Sequence, residues 1–102
     1  MVLVFLLLAS ITAAAGPAHG EPWSAARIAT LPDSAFAVIE VAPHGRKLRH
    51  LPHHDETGAV DVPHLRAARS RWHQVHWLDP AASRAARDHL DAHCYEITNP
   101  LR

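Results

Sequence analysis

The sequence predicts a small α+β domain: a short β-hairpin packed on an antiparallel pair of C-terminal helices, preceded by an apolar, signal-like N-terminal helix. Three observations carry this reading. "LPDSAFAVIEVAP" places Phe36, Val38 and Val41 in a short run ended by Pro43, and "PHGRK" turns the chain into the extended "KLRHLPHH". Leu65, Ala68, Trp72 and Val75 recur at spacings of three, four and three, which is one face of a helix. Asp79-Pro80 then restarts the chain as N-cap and first residue of a second helix reaching about Glu96, with Ala86, Leu90, Cys94 and Ile97 turned inward.

Residues 1–20 hold no Asp, Glu, Lys or Arg. Their apolar run, 2–15, is short for a membrane span, which needs ~20 residues, and suits the hydrophobic region of a secretory signal. Small-residue cleavage sites follow Ala15 and Gly20, although the start lacks the usual basic residue. The expected location is secreted or periplasmic. The alternatives are an anchor formed by 2–15 or a cytoplasmic protein with a misplaced start. Residues 21–102 then form the single domain. Within it, Trp23–Thr30 is a short helical turn bracketed by Pro22 and Pro32, and Ser34 beside Asp33 reads as turn chemistry. "DETGAVD" is a loop around Gly58, and Asp61 with Pro63 opens the first long helix. A core of this size is marginal alone, so a metal, a partner or self-association would stabilise it.

Ten basic and ten acidic residues leave the chain formally neutral, which argues against nucleic acid as a partner. One cysteine, Cys94, excludes an internal disulfide and is expected to pack as a small hydrophobe. No His-Glu-x-x-His, Gly-x-Ser-x-Gly, Cys-x-x-Cys or glycine-rich phosphate loop is present, so the sequence predicts no enzyme and names no cofactor.

Histidine is the outlying residue: nine of the ten follow residue 20. His89 and His93 are four apart and project from one helical face, as a chelating pair would. If the two helices fold back around Leu78, His64 faces that pair, and a hairpin histidine, His54 or His53, can complete the set. An imidazole-rich site of this kind suits Zn²⁺, Cu²⁺ or Ni²⁺. Strand alternation would align His50 with His54 and turn His53 to the other side, while Asp55 could accept the His54 ring proton. The simpler reading is that a histidine beside Asp55 at the hairpin end caps the following loop, that Arg49 pairs with an acid and that the helical histidines sit at the core rim. An exposed Trp77 would mark a partner surface.

"LPDSAFAVIE", "RHLPHHD" and "PHLRAARSRWHQ" together resemble a small module of bacteriophage and prophage head-region proteins, found alone or joined to prohead-protease-like chains. The resemblance covers about 31–76 and rests on Pro32, Ser34, Phe36, Ala37, Arg49, His50, Pro52, His54, Asp55, His64, Arg66, Ala68, Arg71 and Gln74. It implies a fold more than an activity. A signal-like start departs from that pattern, since phage head proteins are cytoplasmic. The first expectation is therefore a non-enzymatic interaction module with a protein partner, able to self-associate and meeting a membrane only through an uncleaved N-terminal segment. The alternatives are a secreted, histidine-rich divalent-metal-binding protein and a pH-responsive binding domain.

Overall fold

The computed structural model describes residues 22–100. The apolar N-terminal helix expected within 1–20 lies outside them. Among the described residues, no helix is long and apolar enough to cross a membrane.

The architecture is α+β: a two-stranded antiparallel hairpin with helices following it. α1 (Ala25–Thr30) is one short turn and a half, its start capped by the Ser24 hydroxyl accepting from the Arg27 N–H. A 3₁₀ turn at Asp33–Ala35 leads into β1 (Phe36–Val41). β2 (Lys47–Pro52) returns beside it, with Val38 opposite His50 and Glu40 opposite Leu48. His44 and Gly45 both adopt positive φ in the connecting turn. α2 (Val62–Arg71) begins where Asp61 accepts from the His64 N–H. It ends in a 3₁₀ turn over Trp72–Gln74, earlier than the regular spacing through Val75 implies. α3 (Pro80–Thr98) is capped by Asp79 and closed by Asn99.

One apolar cluster joins the layers through Leu51, Leu65, Ala68 and Leu90, with Trp72, Val75, Trp77 and Cys94 packed against it. A second, around Leu31, Ala35 and Phe36, seats α1 against the hairpin. Arg49 ties these parts together by donating to the carbonyls of Leu31, Ile28 and Ala29; its distance to Asp33 is 3.8 Å. Arg69 bonds Asp91 while the Trp72 indole bonds the Ser83 carbonyl. Rising numbers on the first helical segment thus meet falling numbers on α3, as antiparallel neighbours require.

Two burial expectations change. Ile97 is 41% exposed, because α3 outruns the hairpin and α2 that cover its earlier turns. Trp77 is half-buried, its indole donating to the Trp72 carbonyl and its ring edge-on to His50 at 4.9 Å. It is part of the packing rather than an exposed partner surface.

Glu40 is buried and accounts for how α3 is placed. Its carboxylate accepts from the backbone N–H groups of Leu78 and Asp79, and lies 2.9 Å from His50 Nε2. A buried carboxylate is costly without partners. Here it receives the amides that precede α3, so the sheet itself holds the entry to the helix.

Candidate metal centre

The rings of His53, His54, His89 and His93 converge at the junction of the hairpin exit and α3, each offering one ligand atom within 4.8 Å of the others. His54 Nε2 lies 3.1 Å from His93 Nε2, which lies 3.0 Å from His89 Nε2, which lies 3.1 Å from His53 Nε2. Among the described residues this is the one group of His, Cys, Asp or Glu side chains assembled in this way.

Local backbone structure explains how adjacent residues 53 and 54 both reach one point. Regular pleating would send them to opposite faces. β2 ends at Pro52, and Leu51 just before it has a φ of 61°, a left-handed conformation that a bulky residue adopts at a cost of about 1–3 kcal/mol. Beyond this twist the chain is pinned: the N–H groups of His53 and His54 both donate to the Ala35 carbonyl, and the His53 carbonyl accepts from the Asp61 N–H. From the helix, the four-residue spacing puts His89 and His93 on one face. That face adjoins the buried Ala86 and Leu90.

The second ring nitrogens settle the tautomers at the hairpin. His53 Nδ1–H donates to the Leu51 carbonyl at 3.0 Å and His54 Nδ1–H to the Gly58 carbonyl at 2.9 Å. A carbonyl only accepts, so both protons sit on Nδ1 and both Nε2 atoms present lone pairs. His93 Nδ1 faces Glu96 at 3.8 Å. Hydrogen bonding between four neutral rings cannot satisfy these contacts. His89 and His93 can supply at most one Nε2 proton each. If both donate outward to His53 and His54, neither Nε2 has a lone pair or a second proton for the 3.0 Å contact between them. If one turns toward the other, a pair of lone pairs is left facing across about 3 Å. These four residues could hold one cation, which would take up all four lone pairs together.

Electrostatics keep the rings ready to ligate. Burial is the largest cause holding His53 at about 4, below its ordinary 6.5; the Leu51 carbonyl opposes this, and the neighbouring histidines add to it. Burial first, then neighbouring imidazoles, also lower His89 and His93. Neutral imidazole is the ligating form, so the environment favours the state that binds metal. His53 is fully buried while His89 is exposed, so the group is walled on one side and open to solvent on the other. Cys94 packs against the apolar core, toward Arg69, and is not one of the group.

The sequence-derived set meets the structure as follows. His54, His89 and His93 come together, and His53 joins them. His64 stands apart: its ring stacks on Trp23 at 3.6 Å and its Nδ1 bonds Asp61. Asp55 does not orient His54. Its carboxylate accepts from Thr57 and Ala59 and caps the 55–59 loop, whose Gly58 carbonyl then takes the His54 proton. Arg49 and Phe36 pair as a cation over a ring at 4.5 Å. Pro32 and Ser34 flank and enter the turn before β1, His50 serves Glu40, Pro52 closes β2, and Arg66 is exposed on α2. None of these reaches the histidine group. Comparison with protein-family models, with curated proteins and with solved structures finds no match to this chain.

Proposed function

We propose that this protein binds one divalent transition-metal ion through His53, His54, His89 and His93. The observation that carries the reading is the convergence of four Nε2 atoms whose contacts neutral rings cannot satisfy among themselves. Ligands at ~2.0–2.1 Å from a tetrahedral zinc would be ~3.3–3.4 Å apart. The three contacts of 3.0–3.1 Å along the chain of rings would open by a few tenths of an ångström, and the wider separations, up to 4.8 Å, would close by side-chain rotation. All-imidazole donors suit Zn²⁺ and Cu²⁺, with Cu²⁺ the tighter of the two on the general affinity order. Second contacts to Nδ1 from the Leu51 and Gly58 carbonyls are the supports that metal-bound histidines usually have.

Four protein ligands fill a tetrahedral ion, which favours a binding or structural role over catalysis. In this reading the ion joins the hairpin exit to α3 and the exposed side of His89 is its route to solvent. The apolar run 2–15 supports export as part of the same reading. A pure protein-contact module would give no reason for the four nitrogens to meet.

Calorimetric titration of the protein with Zn²⁺ and with Cu²⁺ at pH 7.5 tests this, with thermal unfolding followed alongside. One equivalent should bind and raise the melting temperature. His89→Ala and His93→Ala should abolish that stoichiometric binding, whereas His64→Ala should leave it intact. Loose, multisite binding that survives His93→Ala would sink the proposal.

A further inference from the structure

A cluster of charged side chains lies on the α3 face turned away from the histidines. Residues 87, 91 and 94 sit about 150° around the helix from 89 and 93. There a cavity of about 500 Å³ opens between α2 and α3, lined among others by Arg66, Arg69, Trp72, His73, Arg87 and Asp91. Its size falls within the ~300–1,000 Å³ usual for small-molecule sites.

Its charge is unlike that of the chain as a whole. The protein is formally neutral, yet three arginines meet one aspartate here. Asp91 does not neutralise them so much as aim them. It takes the Nε–H of Arg69 at 2.8 Å and stands 3.9 Å from Nε of Arg87. Arg69 also meets the Cys94 thiol, but among the described residues the Nη groups of both guanidiniums bond no oxygen, and Arg66 bonds none either. Arg87 lies over the Trp72 ring at 5.0 Å, and the Trp72 indole is fixed by its bond to the Ser83 carbonyl. Arg69 is held through its Nε edge and Arg87 by stacking on Trp72, so guanidinium N–H groups remain open toward the cavity, suited to bidentate capture of a planar or tetrahedral oxyanion.

We propose that this cavity binds a small organic oxyanion, a carboxylate or a phosphate monoester, between Arg66, Arg69 and Arg87. Concave shape and overall neutrality favour a small ligand over a polyanion, which needs an extended basic surface. The site is independent of the metal centre, and so is its test. Phenyl phosphate, benzoate and the neutral benzyl alcohol are titrated into the full chain with a chelator present, following the Trp72 indole N–H by NMR. Both anions should shift that signal saturably and benzyl alcohol should not; the tighter anion identifies which oxyanion the arginines prefer. Arg66→Gln and Arg87→Gln should each weaken binding about tenfold or more. Arg84→Gln, on α3 but outside the cavity lining, and His89→Ala should leave it unchanged. Absence of saturation, equal binding of benzyl alcohol, or an equal loss in Arg84→Gln would overturn the proposal.

Discussion

Lowering the pH from 7.5 to 4.5 on the metal-free protein should remove a defined part of its stability through His53. In the unfolded chain this ring takes up a proton near 6.5; in the folded protein burial delays that until about pH 4. Between those values the unfolded state binds more protons, so stability falls as pH falls, and above 6.5 the effect is fully present as stability. A displacement from 6.5 to about 4 corresponds to roughly 3 kcal/mol, at ~1.36 kcal/mol per unit. His89 and His93, lowered in the same direction, add to the slope. The acids with lowered values, Asp33, Asp55 and Glu56, start from 3.8 to 4.5, so their losses come at lower pH. The interval from 6.5 to about 4.5 therefore belongs chiefly to histidine. Urea unfolding at closely spaced pH values with a chelator present measures it. His53→Gln should begin less stable and show a slope shallower by up to one proton, ~1.4 kcal/mol per pH unit. A flat wild-type profile over that interval, or an unchanged slope in His53→Gln, would refute the argument.

Three further outcomes are expected. Glu40→Ala leaves the Leu78 and Asp79 amides without their acceptor and should cost about 3 kcal/mol or more in chemical denaturation, with Glu40→Gln costing less. Asp55→Ala releases the 55–59 loop whose Gly58 carbonyl holds His54, and should weaken Zn²⁺ binding about tenfold or more by calorimetry while secondary structure persists. Metal uptake at pH 7.5 should release few protons, because burial already holds His53, His89 and His93 below their ordinary range, and binding should persist into mild acid and be lost as pH approaches the value of about 4 at which His53 protonates; titrations in buffers of different ionisation enthalpy read the proton count directly.

The helices were the most legible part of the chain, because their signals are local. Asp61, Asp79-Pro80 and Asn99 mark ends that the backbone respects, and Leu65, Ala68, Ala86 and Leu90 lie where period 3.6 puts them. His89 and His93 were legible for the same reason, since four-residue spacing alone makes them neighbours. His53 was the hard residue. Strand alternation turns it away from His54, and only the positive φ at Leu51, unannounced by a leucine, brings the two rings together. Assigning a site to His64 failed to anticipate Trp23, which takes that ring as a stacking partner from 41 positions earlier in the chain. Glu40 gives no local sign of its role either, because the amides it receives lie 38 and 39 residues onward.

The grip of Glu40 on the amides before α3 sets the rotational phase of that helix. With the start of α3 held by β1, every later side chain points in a direction decided by its count from Asp79. One inserted residue between Ala81 and Asp88 would swing His89 and His93 by 100° and carry them 1.5 Å along the axis, away from His53 and His54. The cavity arginine Arg87 and its aspartate would be carried round with them if the insertion preceded position 87. Arg87 apart, the seven positions before His89 are therefore free to change in chemistry wherever they face solvent, but not in number: the sheet measures out the helix, and its length up to the ligands is as fixed as the ligands themselves.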